Sequence, residues 1–434
     1  MNDVVFHNLR LLDPEAGRLV GGMSVRMQGD RFVDIAAGVE PSSDHIGVDL
    51  GGRVMMPGLI DNHVHVTSIR TQWANKSYMH LLPSAVAAAT WNRMKAMLLR
   101  GFTTARDVGG ADRGHREAVA EGIVIGPRLF VVGRSISQTG GHGDQRTRVD
   151  HPSPDENFHL VPGHSGLRRV VDGVAEMRRA VRDEIRLGAD AIKLQVGGGV
   201  GSPADPVHFV QFSMDELRAA VEEAANAHTY VACHSYTAKA VRRAVLAGIR
   251  SIEHANFLDA PTAELMVEHG AIMVPTLVAY EATMKYGAAQ GYPPENLKKN
   301  EGVLAAGTTS LEVAKAAGVP MAFGTDLIGE LDGFQNDEFE IRSRVLSNAE
   351  IIRQATIMGA VVNRCEGEIG VIAKGAYADA LVLDGNPLDD IGLLASGGPD
   401  FRVILAAGKV VKDDRAIATA APQAEGVPFG PRPN

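Results

Sequence analysis

The sequence predicts an α/β protein: a (β/α)8 TIM barrel with a small β-sandwich domain built from both termini. Three observations predict it. Apolar, β-branched runs alternate with helical patterns eight times between residues 58 and 370. Most of the helical runs stop at a glycine, the residue that tolerates the left-handed turn closing a helix. Short strand-like runs separated by Gly, Asp and Pro occur at both ends of the chain, with too few at either end for a sheet of its own. The chain has 434 residues, of which 45% are hydrophobic and 22% charged, so disorder, collagen and coiled coil are excluded.

At the N-terminal end, Val4–Leu11, Met23–Met27 and Arg31–Ile35 read as strands; at the C-terminal end, Ala380–Leu383 and Phe401–Ala406 do. Joined, they form the small domain, over 1–57 and 371–415. Between them, Leu59–Val66 opens the barrel at 58–370, and Ser84 starts a helical run ending at Gly101. Phe102–Val108 and Arg128–Ile136 are the second and third strands. Asp172 caps a helix that ends at Gly188, before strand Ala191–Val196. Ser213 and Glu216 make a capping box, Ser-x-x-Glu, ahead of the next helix. Strand Tyr230–Tyr236, a helix ending at Gly248 and strand Ser251–Ala255 follow. Asp259 opens a helix to Gly270, ahead of Ala271–Val278; a further helix ends at Gly318, ahead of Met321–Thr325. Ser347 and Glu350 repeat the capping box before the last helix. Residues 416–434, rich in Ala, Pro and Gly, read as a loosely held tail or an inter-subunit arm.

Lys and Arg total 43 against 52 Asp and Glu, a formal charge of −9. Without basic blocks, such a chain is a poor partner for nucleic acid or an anionic membrane. Two cysteines, Cys233 and Cys365, exclude a disulfide scaffold and a Cys-rich zinc module. No run of ~18 apolar residues predicts a membrane helix. No charged-then-apolar leader opens the sequence, so the expected location is the cytoplasm. No Gly-x-Gly-x-x-Gly sits at a strand-to-helix turn, which weakens a dinucleotide reading.

Active sites of such barrels lie at the C-terminal ends of the strands. The first strand ends Asp61-Asn62-His63-Val64-His65, and residues two apart on a strand share a face, so both imidazoles reach one ion. Lys193 stands in the apolar fourth strand, where an unpaired ammonium is costly. His234 ends the fifth strand, His254 the sixth and Asp326 the eighth. Any one alone reads as structural, a hydrogen-bonded core histidine or a helix-capping Asp. Four His, one Lys and one Asp together at strand ends point to a metal centre. Gly197–Gly199 reads as a flexible turn more readily than as a phosphate cradle, and Arg106 and Asp107 as an internal ion pair. Cys233 alternates with His234, so it faces the helices and is inert.

Pro57-Gly58-Leu59-Ile60-Asp61-Asn62-His63-Val64-His65 resembles the strand-one signature of the amidohydrolase superfamily. Gly375-Ala376-Tyr377-Ala378-Asp379-Ala380 and Asn386-Pro387-Leu388 resemble that superfamily's return into its small β domain. Thr103-Thr104-Ala105-Arg106-Asp107 and Gly140-Gly141-His142-Gly143-Asp144 resemble the imidazolonepropionase-related branch, with its Xaa-Pro dipeptidases and ochratoxin-cleaving amidases. The resemblance implies a binuclear metal hydrolase. Lys193 is then carboxylated by CO2 and bridges two divalent ions. His63, His65 and Asp326 hold one ion, and His234 and His254 the other. Imidazole and carboxylate suit zinc, and also manganese or cobalt.

A hydroxide between two cations is a strong nucleophile at neutral pH. Asp326 beside it would take its proton and pass it to the leaving amine. His142 is placed to support the oxyanion, or is a turn residue among glycines. Tyr236, two residues beyond His234, shares its face and either binds the carbonyl or the substrate carboxylate or packs at the barrel rim. The expected substrate is a small-molecule amide, a dipeptide or N-acyl amino acid of Xaa-Pro or ochratoxin type, with specificity set by loops such as Gln138–Gly166 and Tyr280–Asn300. The resemblance also implies a homo-oligomer, up to an octamer. Cyclic-amide hydrolases of the same superfamily are a second reading. Deaminases are disfavoured by Lys193, since they generally use one metal and a His-x-x-Glu arrangement. A catalytically inactive scaffold is the reading from another class; such relatives lose ligands, and here all six positions are filled.

Overall fold

The computed structural model describes residues 3–70, 81–144, 168–202, 205–414, 416–419 and 421–424. It is a mixed α/β molecule. Both ends of the chain enter one eight-stranded sheet, in the order Lys409–Asp413, Phe401–Ala406, Ala380–Leu383, Val54–Pro57, Asp3–Asp13, Arg18–Gln28 and Arg31–Ala37, with His45–Asp49 beside Asp3–Asp13. The expected β-sandwich is thus, in its hydrogen bonding, a single sheet. Val54–Pro57 joins the halves, running parallel to Asp3–Asp13 and antiparallel to Ala380–Leu383. That strand, His45–Asp49 and Lys409–Asp413 escape sequence patterning because none offers a sustained alternation. Phe6, Val25, Met27, Phe32, Val403 and Leu405 form the sheet's apolar core. Beyond the last strand, Ala418 and Ala421 are buried in the same core, and the Val410 N–H donates to the Pro422 carbonyl. Residues 425–434 of the expected tail lie outside the described residues.

The middle of the chain builds parallel strands. Leu59–Val64, Phe102–Asp107 and Arg128–Val131 form one set. Ser135–Ser137, Ile192–Gln195, Val231–Thr237, Ser251–Phe257 and Ile272–Val274 form the other, with Arg168–Val170 on its edge. The Asp190 N–H donates to the Val131 carbonyl at 2.7 Å, linking the sets. At the far side Met273 and Met321 form a parallel bridge, and the Asn62 N–H donates to the Phe323 carbonyl at 2.8 Å.

Three expected strands differ. Arg128–Ile136 is two short strands broken at residues 132–134. Ala271–Val278 stops at Val274, and helix Leu277–Tyr286 begins just past Pro275. Met321–Thr325 makes only the isolated bridge. Pro320 before it has no N–H to give a ladder, and Gly324 is pressed between neighbours: a Cβ there would lie 2.6 Å from Val274 Cγ1 and 2.9 Å from His63 Cβ. The helix caps follow sequence chemistry. Ser213 and Ser347 form full capping boxes, and Asp259 accepts from the Thr262 N–H. Asp172 stands at the N-cap position but makes no cap bond; its carboxylate accepts from the Thr139 hydroxyl at 2.6 Å.

Candidate active site

The six singled-out residues converge. His63 and His65 come from Leu59–Val64 and the residue after it, Lys193 from Ile192–Gln195, His234 and His254 from the next two strands, and Asp326 from the segment after Phe323. All six line one cavity. The Asp326 N–H is anchored to the His63 carbonyl at 2.8 Å. Its φ of 53° is left-handed, a strained choice for a residue with a Cβ.

Each histidine has one ring nitrogen committed to the protein. The Nδ1–H of His63 donates to Glu253 Oε2 at 2.7 Å, and that of His65 to the Gly109 carbonyl at 2.8 Å. His234 donates from Nε2–H to the Gly198 carbonyl at 3.1 Å. Nδ1 of His254 hydrogen-bonds the Thr276 hydroxyl at 2.7 Å. The carboxylate and carbonyl acceptors fix the tautomers of His63, His65 and His234, as partners behind a metal-ligating imidazole do, whereas the Thr276 hydroxyl can either donate or accept. The other nitrogens are left open. Nε2 of His63 and of His65 each lie 3.3 Å from Asp326 Oδ1, and Nε2 of His254 lies 4.0 Å from Oδ2. Donor atoms of His63, His254 and Asp326 all fall within 4.8 Å of one another, a spacing suited to one cation. The His234 ring centroid is 4.7 Å from that of His254. Burial holds both His234 and His254 well below the usual histidine range, so both are neutral. Burial would raise Asp326, but His63 and its other imidazole neighbours hold it well below the usual carboxylate range.

Lys193 is 2% exposed. Among the described residues it has no hydrogen-bond acceptor and no carboxylate within ion-pair distance. Burial lowers its amine below the ordinary lysine value, against the pull of Glu253 and Asp326. A buried amine whose charge is disfavoured by burial, beside open imidazoles, is suited to carry an added acidic group.

Two residues behind the site were not singled out by the sequence. Glu253 is fully buried and bridges His63 and Arg106, whose Nη2 is 2.8 Å away. Burial opposes its charge, yet Arg106 holds its carboxyl far below the usual range. Strand alternation places Glu253 and His254 on opposite faces, yet both stand beside His63. The backbone at His254 is left-handed, with φ 72°, and breaks the alternation. The expected ion pair of Arg106 with Asp107 is corrected accordingly. Arg106 pairs with Glu253, while Asp107 accepts from the N–H groups of Val66, Gly109 and Ala111. The second missed residue is Asp61, whose carboxylate accepts from the His63 N–H, Thr325 and Gln335 and ties the first strand to the Asp326 segment.

His142 stacks on His234, with centroids 4.2 Å apart. Its Nδ1 lies 2.9 Å from the Ser202 hydroxyl, and its N–H donates to Gln211 Oε1. Gly199 makes room for it: a Cβ there would lie 2.0 Å from the ring. The glycine turn around it is pinned rather than open to an anion, because the Gly199 N–H donates to Asp205 and its carbonyl accepts from Lys299. Tyr236 is buried, 4.7 Å from the His234 ring, and burial keeps its phenol protonated. Tyr280 and Tyr292 line the same cavity. Cys233 is buried among apolar residues, and burial raises its thiol. Of the loop 138–166, residues 145–166 lie outside the described residues, with His151, His159 and His164.

No described helix is long and apolar enough to cross a membrane. The family model described as "Amidohydrolase family" matches residues 54–419. Ochratoxinase of Aspergillus niger is 31% identical over 344 residues, 78% of this chain and 72% of that protein. A prolidase structure complexed with N-methylphosphonate-L-proline is 44% identical, with a TM-score of 0.91, covering 95% of this chain and 100% of that one. A Xaa-Pro dipeptidase structure with bound methionine is 30% identical, with a TM-score of 0.84, covering 94% and 100%. Strand-end histidines meeting an aspartate across one cavity, and a family match over most of the chain, lead to one conclusion: this protein belongs to the amidohydrolase family and is a hydrolase acting on amide bonds.

Proposed function

We propose that this protein is a metal-dependent hydrolase of the peptide-type amide in a dipeptide or N-acyl amino acid, working at the strand ends of a (β/α)8 barrel. The observation that carries the reading is the pattern of open imidazole nitrogens: four histidines, each tied back by one ring nitrogen, around Asp326 and a buried lysine that has no partner among the described residues. The barrel is supported by the hydrogen bonds that link Val131 to Asp190 and Asn62 to Phe323. Its boundaries are taken as 58–370, with 1–57 and 371–415 as the small domain. The prolidase and ochratoxinase relatives support the substrate class.

The donor set fits two divalent ions. His63, His65 and Asp326 would hold one, His234 and His254 the other, and Lys193 as its carbamate would bridge them. Bound there, zinc-type ions would acidify a water and polarise the scissile carbonyl. The rest falls to the chain itself. Asp326, held anionic by imidazoles, accepts a proton and delivers it to the leaving amine. Tyr236, held protonated, and His142, braced on Ser202 and the His234 ring, are the donors that face the developing oxyanion. Glu253 and Arg106 keep His63 in the tautomer whose Nε2 is open.

The test is elemental analysis together with hydrolysis of a panel of dipeptides and N-acyl amino acids. About two ions per chain and turnover of some members are expected. Lys193→Ala should lose most of both, with partial rescue by a short carboxylic acid. A well-folded, metal-supplemented protein that takes up no metal and cleaves none of the panel would instead be a scaffold.

A further inference from the structure

Behind His142 lies a buried carboxylate that the chemistry above does not use. Asp205 is fully buried. Its Oδ2 accepts from the Gly199 N–H at 3.0 Å and from Gln211 Nε2 at 3.1 Å. Its Oδ1 has no hydrogen-bond partner among the described residues. A carboxylate taken out of water is costly unless a cation or a full set of donors meets it. Among the described residues the only basic side chain within ion-pair distance is His142, whose Nδ1 lies 3.6 Å from Oδ2. Lys299 is near, but its ammonium donates to carbonyls: Gly199 at 3.3 Å, Ser202 at 3.1 Å and that of Asp205 itself at 3.0 Å.

Both donors to Asp205 lead back to His142. Gln211 accepts the His142 backbone N–H on Oε1 at 3.0 Å. Gly199 is the residue the imidazole packs against, with no room for a Cβ between them. The segment is closed at its base, where the Gly198 N–H donates to the Phe209 carbonyl at 2.9 Å and the Gln211 N–H to the Val196 carbonyl at 2.8 Å. The carboxylate is therefore fixed by the fold, and the ring is set against it. We propose that Asp205 is the positioning residue of His142, holding the Nδ1 edge of the ring so that the opposite edge is presented to the cavity where the oxyanion develops. The inference rests on the oxyanion role given to His142 and deepens it. A carboxylate behind an imidazole fixes its orientation and favours positive charge on it while the ring supports a neighbouring anion. A neutral amide of the same shape keeps the turn but removes the charge, so one substitution separates the two contributions.

The test is a double-mutant cycle on metal-loaded enzyme with a Xaa-Pro dipeptide: wild type, Asp205→Asn, His142→Ala and the pair. The asparagine oxygen can still accept from Gly199 and Gln211, so metal content and melting temperature are expected to hold. Asp205→Asn should lower kcat on the order of 10²-fold, the scale of a misplaced catalytic group. KM should stay within about twofold, because the lost interaction belongs to the transition state. In the His142→Ala background the same change should cost under about twofold, since Asp205 acts through that ring. A near-normal kcat for Asp205→Asn, or an equal loss in both backgrounds, overturns the proposal. If Asp205→Asn lowers the melting temperature or the metal content, Gln211→Met decides instead, because it cuts the link to His142 and leaves the carboxylate on Gly199. A kcat loss there that vanishes in the His142→Ala background supports the proposal; an unchanged kcat, or an equal loss in both backgrounds, overturns it. A His142→Ala enzyme of normal kcat removes the oxyanion role and this inference with it, while amide hydrolysis stands. A wild type that cleaves nothing in a panel of dipeptides and N-acyl amino acids overturns the amide-hydrolase reading itself, and this one with it.

Discussion

The terminal sheet and the strand-end site are both buried, and they are buried by opposite means. The sheet's interior is Phe6, Val25, Met27, Phe32 and Leu405, each at most 1% exposed and apolar. The site's interior is Asp61, His63, Arg106, Lys193, Glu253 and His254, each at most 2% exposed and polar or charged. In the sheet, burial is itself the stabilising term. At the site burial costs free energy for every ion, recovered only where a partner stands at hydrogen-bond distance. Arg106 and Glu253 have partners; Lys193 has none among the described residues. The sheet is therefore read as built for stability and the site as built for a ligand.

The sharpest way to separate the two is Asp326→Asn. The amide still offers an oxygen but cannot take a proton, so kcat at saturating metal should fall ~10²–10⁴-fold while the melting temperature barely moves. Near-normal kcat on the best amide substrate would leave Asp326 as a ligand only. The mirror experiment is Phe32→Ala in the sheet. It should cost about 3–5 kcal/mol of stability with kcat per folded molecule unchanged, checked by denaturant unfolding and active-site titration. A large kcat effect there would show that the sheet and site are coupled.

Glu253→Gln probes the border between the regions. The amide N–H2 would donate to His63 Nδ1, moving the ring proton to Nε2, where it blocks the open position. Metal affinity should weaken about 10–100-fold, read by competition with a chelator, and a circular-dichroism spectrum should confirm the fold. Unchanged affinity would mean that Glu253 only neutralises Arg106. The smallest effect belongs to Asp384, held between Arg53 at 2.8 Å and Arg402 at 2.7 Å on the terminal sheet. Burial would raise it slightly, but the arginines hold it below the ordinary carboxylate value. Its contribution is present at neutral pH and is lost as pH falls through the folded-state value. Asp384→Asn should cost under about 1 kcal/mol at pH 7, and the gap from wild type should close below about pH 4. A gap that persists in acid would assign the loss to packing.

Much of this molecule was legible from its residues because local signals carried it. The Ser213 and Ser347 capping boxes, the Gly318 helix stop and the His63-x-His65 pair each depend on residues a few positions apart. Periodicity and backbone geometry suffice for those. The six residues that converge on one cavity were legible for the same reason, since five stand at the ends of apolar runs and Lys193 interrupts one. Tertiary structure alone decided what acts at a distance or against the local rule. Val54–Pro57 became the joint of the terminal sheet through partners more than 300 residues apart in sequence, Pro57 with Ala380 among them. Glu253 entered the site because left-handed backbone at His254 overrode alternation. Arg106 chose Glu253 over Asp107, its neighbour in the chain. No sequence period encodes such choices, because a charge in a low-dielectric interior is settled by whichever partner the folded chain brings within about 3 Å.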